Sequence, residues 1–208
     1  MRPVDGDGCR LEPQGARHAD ALFAVLSDPA IYRYENAPPA SVQALRERLA
    51  RLESRQSPDG GEQWLNWVVW APGDPAPQDG DPAARPSMDH LAGFVQATVM
   101  PDGRAFIAYV FGSRSWGRGL ATRAVSAMLV ELAAHHGVRR FVADVKVDNA
   151  PSLRLLARLG FSAGRQGDAT GRDGAGDDAV YDGQPDDGEA RLGRDAAPAV
   201  RKFTDARG

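Results

Sequence analysis

The run Val110-Phe-Gly-Ser-Arg-Ser-Trp-Gly-Arg-Gly-Leu-Ala-Thr122 constrains the fold more than any other part of the chain. It passes from a strand-like segment through a glycine-spaced turn into the first turn of a helix. Residues 114–119 spell R-x-x-G-x-G, and at a helix start the backbone N–H groups lack intrahelical partners while the macrodipole favours negative charge. Gly117 and Gly119 have no Cβ, so the main chain can approach phosphate oxygens closely. The run therefore predicts a strand-turn-helix unit that binds a pyrophosphate.

Two better-known phosphate loops do not fit this pattern. A P-loop needs Lys at position 118 and Ser or Thr at 119, where this chain has Arg118 and Gly119. A dinucleotide fingerprint needs G-x-G-x-x-G and an acidic residue about 20 residues later, and the glycine spacing here is different. Two alternatives stay open for the loop. The glycines could only shape a tight turn, or the loop could serve nucleotide hydrolysis, which predicts magnesium-dependent ATP binding.

A second segment, residues 149–161, follows the strand-like run 139–147 and has the signals of a short helix. Asn149 is a good N-cap, and Pro151 lies where a missing N–H costs little. Gly160 suits the position just after a helix end. The segment therefore predicts a helix that opens with the pattern N-x-x-S and closes on Leu-Gly-Phe.

Together these two segments resemble the GNAT superfamily of acyl-coenzyme A-dependent N-acetyltransferases. The resemblance extends from about Leu11 to Phe161. It leans toward the branch that acetylates protein N-termini, including those of ribosomal proteins, because of the opening Arg10-Leu-Glu-Pro with residues 18–34 and because of Asn149-x-x-Ser152. It implies an α/β (α+β) fold of three layers, in which a mixed central sheet with splayed middle strands is flanked by helices.

The same resemblance implies the site. Acetyl-CoA would be the acyl-donor cosubstrate, its pantetheine arm would lie between the splayed strands, and no metal would be needed. The backbone N–H of Val110 would polarise the thioester carbonyl, and Ser152 would act as the acid near the sulfur. The residues expected to bind acetyl-CoA are Val110, Arg114, Ser115, Trp116, Gly117, Arg118, Gly119, Ala121, Thr122, Asn149 and Ser152.

The chain departs from the superfamily pattern at its proton-transfer groups. Many relatives use a tyrosine four residues after the serine, but Leu156 stands there. Relatives often carry a glutamate on the strand before the phosphate loop, and this strand has none, so Glu35 or a water chain is left as the base. Ser152 and Asn149 also have an ordinary explanation, because both residue types satisfy free backbone donors at a helix start.

Composition divides the chain into a predicted domain and a tail. Residues 1–165 are expected to form the N-acetyltransferase domain, with 71–90 as a flexible hairpin insertion rich in Pro, Gly and Asp. Residues 166–208, rich in Gly, Asp and Ala, are expected to be a disordered tail. Relatives usually end with two strands after Leu-Gly-Phe, and here Val180-Tyr181 and 200–203 are weak candidates. Without a final strand, one side of the acceptor pocket would be open or built by another subunit.

Hydrophobic periodicity predicts the remaining elements. Gly93 is a possible bulge, and adjacent His135 and His136 are expected to cap a helix rather than hold a metal. The predicted helices cover 16–27, 41–53 and 119–136, and the predicted strands cover 64–70, 91–99 and 104–111.

The predicted function is transfer of acetyl from acetyl-CoA to a primary amine by direct attack in a ternary complex, with a protein or peptide N-terminus as the favoured acceptor. The alternative is a non-catalytic acyl-CoA-binding sensor or pseudoenzyme of the same fold. A net charge of -3 argues against a nucleic-acid partner. No apolar run reaches membrane-span length and no signal peptide is evident, so a cytoplasmic protein that does not bind membranes is expected. It is expected to be a monomer or a homodimer.

Overall fold

The computed structural model describes residues 1–34, 37–72 and 89–163, together with the backbone of 178–183. Short 3-10 turns lie before α1, after α1 and in the glycine loop. The described helices are α1 (Ala19–Leu26), α2 (Val42–Leu52), α3 (Leu120–His135) and α4 (Ala150–Arg158). The described strands are β1 (Val4–Gly6), β2 (Cys9–Pro13), β3 (Gln63–Ala71), β4 (His90–Val99), β5 (Arg104–Phe111), β6 (Arg140–Lys146), β7 (Ser162–Ala163) and β8 (Asp178–Gly183).

The described strands form one mixed sheet in the order β1-β2-β3-β4-β5-β6-β8-β7. Neighbours pair antiparallel except β5 and β6, which pair parallel and are joined through α3. A parallel pair needs a crossover of a dozen or more residues, and the segment containing α3 supplies it. The predicted mixed sheet is therefore confirmed, and its parallel pair lies beside the glycine loop.

The middle of the sheet is splayed. β5 and β6 pair only from Arg104 opposite Arg140 to Phe106 opposite Val142. Beyond that point both strands continue, β5 to Phe111 and β6 to Lys146, without pairing with each other. The gap predicted from the resemblance is thus present, and it opens toward the end of β5 that leads into the glycine loop.

Apolar side chains cover both faces of the sheet. On β3, the neighbours Trp67 and Val68 are each fully buried, but they belong to separate cores. Since successive side chains of a strand point to opposite faces, α3 and α4 pack on the Trp67 face while α1 and α2 pack on the Val68 face. This arrangement is the predicted three-layer α/β architecture.

The predicted helices are confirmed with small shifts at their ends. The first begins as a 3-10 turn at Ala16–His18 before α1, and α2 begins after Ser41, whose side chain accepts a hydrogen bond from the Ala44 N–H at 3.0 Å. Strand 104–111 is only partly buried, because one face of its second half borders cavities. No helix in the described ranges is both long and apolar enough to cross a membrane.

One stretch of the predicted disordered tail is instead a strand. β8 pairs antiparallel with β6, from Asp178 opposite Lys146 to Gly183 opposite Phe141, and it also pairs with β7. The prediction failed because the short run around Val180-Tyr181 is paired as a strand by β6 and β7, both distant in sequence, which local composition does not show. The chain therefore supplies its own strand beside β6. The rest of the predicted tail, with 200–203, and residues 73–88 of the predicted insertion lie outside the described residues.

Candidate active site

The glycine loop leads from β5 into α3 through two left-handed residues. Gly117 has φ 73° and Gly119 has φ 71°, and Gly119 is the N-cap of α3. A Cβ at Gly117 would meet nothing within 4 Å, so this position requires glycine for its backbone conformation and not for space. The turn ends at the first N–H groups of a 16-residue helix, which favour an anion.

Three hydrogen bonds hold the loop in place. The Trp116 indole N–H donates to the Phe111 carbonyl at 2.8 Å, and the Ser115 N–H donates to the Gly112 carbonyl at 2.9 Å. The Ser113 N–H donates to a carboxylate oxygen of Asp28 at 2.8 Å. Hydrogen bonds from Ser113 hold the pKa of Asp28 below its ordinary value. The loop is thus fixed both to its own strand and to the segment that follows α1.

A cavity of about 340 Å³ lies against this loop and the first turn of α3. Arg114 and Arg118 are exposed and do not line it, so their predicted contact with acetyl-CoA stays a prediction. Arg154 and Arg158 of α4 do line it, and sequence reasoning missed them. Their spacing of four residues on a helix that follows N-x-x-S was the available signal. The predicted binding residues that line the cavity are Val110, Ser115, Trp116, Gly117, Gly119, Ala121, Thr122, Asn149 and Ser152.

A second cavity of about 550 Å³ lies on the side of the sheet that α1 and α2 cover. Its walls come from α2, the segment after α1, and the splayed ends of β5 and β6. The two cavities meet at the splay, and the residues that line both are Ile31, Tyr34, Tyr109, Val110, Asn149 and Ser152.

Asn149 and Ser152 lie at this junction, and Asn149 also caps α4. The Asn149 side-chain oxygen accepts a hydrogen bond from the Ser152 N–H at 3.2 Å. The cap accounts for Asn149 without a ligand. Their proposed roles toward acetyl-CoA stay predictions, and the junction position is what makes those roles geometrically available.

Tyr109 was not predicted as a functional residue. Its hydroxyl donates to the Ser152 carbonyl at 3.5 Å, a long contact, and burial raises the pKa of the phenol. Leu156, which replaces the tyrosine of relatives, is fully buried in the core beneath α4. The phenol beside Ser152 therefore comes from β5, and only the pairing of strands reveals that β5 and α4 meet there.

Asp144 was also missed as a candidate base. It belongs to β6, is 3% exposed, and lines the larger cavity. A carboxylate within the apolar run Phe141-Val-Ala-Asp-Val145 was the available signal, since Asp is almost never fully buried without a partner. Glu35, the candidate named from the sequence, lies outside the described residues.

Gly93 of β4 determines how closely Val110 of β5 can approach β4. A Cβ built on Gly93 would lie 2.1 Å from the Val110 carbonyl oxygen and 2.8 Å from the Phe111 Cα. The register between β3 and β4 also shifts here, since Val69 is opposite Gly93 but Trp70 is opposite Leu91. The predicted bulge is confirmed, and its missing side chain lets β5 carry Val110 between the two cavities.

Two histidines near the end of α3 face a carboxylate. His135 Nε2 lies 3.8 Å from Glu131, and His136 Nε2 lies 3.9 Å from it. Within the described residues, no group of three or more His, Cys, Asp or Glu is arranged to hold a metal ion.

Known proteins are similar to this chain in sequence. The model of the acetyltransferase (GNAT) domain matches residues 9–162. An uncharacterized N-acetyltransferase p20 from Bacillus licheniformis is 25% identical over 145 residues, covering 69% of this chain and 72% of that protein.

Solved structures share the fold at lower identity. A ribosomal-protein-S5-alanine acetyltransferase from Vibrio fischeri superposes with a TM-score of 0.66 at 15% identity, covering 90% of this chain and 99% of that one. RimL, a ribosomal-protein N-terminal acetyltransferase, in complex with coenzyme A superposes with a TM-score of 0.65 at 18% identity, covering 88% and 97%.

Proposed function

The chain belongs to the GNAT acetyltransferase family, an acetyl-CoA-dependent acyltransferase family, and from that premise we propose that its acceptor is the N-terminal amine of a protein or peptide. The observation that carries the proposal is the meeting of two cavities at the splay. One borders the glycine loop and the other opens between α2 and the strands, with Val110, Tyr109 and Ser152 at the junction. An acyl donor and an amine entering from opposite sides would meet there.

The residues of the smaller cavity fit the donor. The loop at Gly117 and Gly119 and the first N–H groups of α3 suit a pyrophosphate. Arg154 and Arg158 add positive charge for further phosphate oxygens. Asn149 offers amide groups at the entrance to the gap. When bound, acetyl-CoA supplies an acetyl group activated as a thioester.

Residues at the junction and beside it divide the proton transfers. Asp144, directly or through a water, takes the proton that the acceptor ammonium must lose before its nitrogen attacks. The carbonyl oxygen accepts a hydrogen bond from a main-chain N–H of β5 that faces the gap, that of Tyr109 or Phe111, as the C–N bond forms and the C–S bond breaks. The Val110 N–H expected from the sequence instead faces the Phe94 carbonyl of β4. Tyr109, which stays protonated because burial raises its pKa, donates a hydrogen bond to the departing sulfur, with Ser152 as the second candidate. The attacking nitrogen loses its second proton as the amide forms, so that one of the two amine protons ends on the sulfur and the other passes through Asp144 to solvent.

Two observations support a protein acceptor. Structures that share the fold include ribosomal-protein acetyltransferases, RimL among them. The larger cavity is bordered by loops and is open to solvent, so an extended chain can enter and continue outward. Fold alone does not fix a substrate, and the acceptor therefore needs its own test.

The test separates donor binding from transfer. Acetyl-CoA is titrated calorimetrically against the wild type, Gly117→Asp and Gly60→Asp. Gly60 is a matched control, because it has φ 72° and nothing within 4 Å of its Cβ position, yet it lines neither cavity. We expect Gly117→Asp to abolish binding and Gly60→Asp to retain it.

Transfer is then measured as the release of free thiol, and the acceptors are peptides whose N-termini are free or blocked. Thiol release with free N-termini alone supports the proposal. Thiol release with blocked peptides that contain lysine would overturn the assignment of the acceptor. Binding without thiol release from any amine would support the sensor instead.

A further inference from the structure

The larger cavity carries a positive charge that the chain as a whole does not. Its charged lining residues within the described part of the chain are Arg48, Arg51, Lys146 and Asp144, three cations and one carboxylate. The whole chain has a net charge of -3. The excess of cations is therefore local to this cavity and is not a consequence of overall composition.

The two arginines flank the apolar side of α2. Leu45 and Leu49 are 3% and 2% exposed and form the inner part of the cavity wall on this helix. Arg48 and Arg51 lie three and six residues after Leu45 and are exposed, so they lie where the wall reaches solvent.

Other charged residues of α2 have partners of their own. Arg46 pairs with Asp20 at 2.6 Å, and the carboxylate of Glu47 accepts a hydrogen bond from the Gln43 amide at 2.8 Å. Neither Arg46 nor Glu47 lines the cavity. By contrast, no carboxylate in the described ranges lies within 4 Å of the charged nitrogens of Arg48, Arg51 or Lys146.

The end of the cavity formed by β6, opposite Arg48 and Arg51, is suited to the amine. Asp144 and Lys146 both lie on the cavity face of β6, and Asp144 is buried beside the splay. At this end the Lys146 ammonium disfavours a second ammonium beside it, and Asp144 is placed to accept the proton that the amine must lose before it attacks. One end of the cavity thus holds the reacting nitrogen, and the arginine end has two cations available for an anionic group farther along the acceptor.

Resting on the proposed function, we infer that the acceptor is a peptide N-terminus followed within its first few residues by carboxylate side chains, which Arg48 and Arg51 bind. The cavity volume of about 550 Å³ is in the range of pockets that enclose small ligands, so it accommodates a short extended segment and not a folded domain. A free acidic amino acid presents the same chemistry and is the second arm of the test.

The experiment uses the full chain and three peptides that differ only at positions two to four, which are all alanine, all glutamate or all lysine. The proteins are the wild type, Arg48→Gln with Arg51→Gln, Arg48→Glu with Arg51→Glu, and Arg46→Gln as the control from the same helix. Circular dichroism and Tm establish that each variant folds. We expect the wild type to favour the glutamate peptide over the alanine peptide by about tenfold in kcat/KM, through KM.

The double glutamine variant should lose that preference to within about twofold, the double glutamate variant should favour the lysine peptide, and the control should behave as wild type. Equal kcat/KM on all three peptides, or a preference that survives the double glutamine variant, would overturn the inference. Acetylation of free glutamate as efficient as that of the peptide would overturn its peptide part.

Fluorescence anisotropy of the labelled peptides keeps the two proposals separable. If the glutamate peptide binds the wild type more tightly than the double variant but is never acetylated, the proposed function fails and the charge inference stands. If all peptides are acetylated without regard to charge, the function stands and the charge inference fails.

Discussion

Replacing Gly93 by alanine should damage both stability and catalysis, because the added Cβ would overlap main-chain atoms. The Cβ would lie 2.1 Å from the Val110 carbonyl oxygen, about 1 Å inside ordinary contact, and no side-chain rotation can relieve a clash with a backbone. Forced overpacking of this kind costs about 1–3 kcal/mol. A glycine-to-alanine change raises the free energy of unfolding by only about 0.4–1 kcal/mol, because it lowers the entropy of the unfolded chain. The steric strain is larger, so the net effect should be destabilising.

The displaced atoms belong to β5, the strand whose main-chain N–H is proposed to donate a hydrogen bond to the thioester carbonyl. A shift of roughly 1 Å at Val110 should therefore lower kcat/KM by about 10²-fold, while the affinity for acetyl-CoA, set mainly by the glycine loop, changes much less. The assays are Tm by calorimetry and thiol release with a peptide acceptor. At about 2–4 °C per kcal/mol for a chain of this size, the loss of Tm is measurable.

Gly61→Ala is the matched control for this substitution. Its Cβ would meet only the Asp59 carboxylate, at 3.4 Å, and Gly61 lines neither cavity. We expect its Tm and kcat/KM to stay close to wild type. An unchanged Tm for Gly93→Ala would refute the steric argument. A lowered Tm with unchanged kcat/KM would refute the role of the β5 main chain in the chemistry.

Three further outcomes are expected. Tyr109→Phe should lower kcat by about 10²-fold with little change in the acetyl-CoA Kd, and a kcat equal to wild type would remove the phenol from the mechanism. Arg154→Gln combined with Arg158→Gln should raise the acetyl-CoA Kd by roughly tenfold in calorimetry and flatten its salt dependence, whereas an unchanged salt dependence would mean that neither cation meets the phosphates. Arg2→Gln should lower Tm at pH 7, because hydrogen bonds from Arg2 hold the pKa of buried Glu131 below its ordinary value. That contribution is fully present above the unfolded carboxyl pKa of about 4.3 and is lost as pH falls through the lower folded pKa, so the Tm difference from wild type should close in acid. A gap that persists at low pH would contradict the ion-pair explanation.

Features set by neighbouring residues could be predicted from the sequence. Gly117 and Gly119 require left-handed backbone, and Asn149 caps its helix through the side chain, so each is visible in a few consecutive letters. The helices followed from apolar spacing in the same way. These local signals were enough to place the glycine loop and to suggest the family.

Features set by distant pairing could not be predicted. Tyr109 and Asp144 become site residues only because β5 and β6 separate after three paired positions and leave both side chains beside the gap. Strand β8 depends on hydrogen bonds from β6, more than 30 residues earlier in the chain. Arg154 and Arg158 join the smaller cavity only because α4 packs next to the glycine loop. In each case the decisive partner is remote in sequence.

The carboxylate of Asp28 joins the two sides of the site. One oxygen accepts the Ser113 N–H at the start of the glycine loop, and the other accepts the Ala30 N–H in the 3-10 turn at Pro29–Arg33, at 3.0 Å. Ile31 of that turn lines both cavities. Thermodynamic linkage is reciprocal, so by whatever factor a bound donor, acting through this turn, strengthens acceptor binding, a bound acceptor strengthens donor binding by the same factor. The Asp28 carboxylate ties the loop beside the smaller cavity to a turn that lines both cavities, and it is therefore the direct structural route for such coupling.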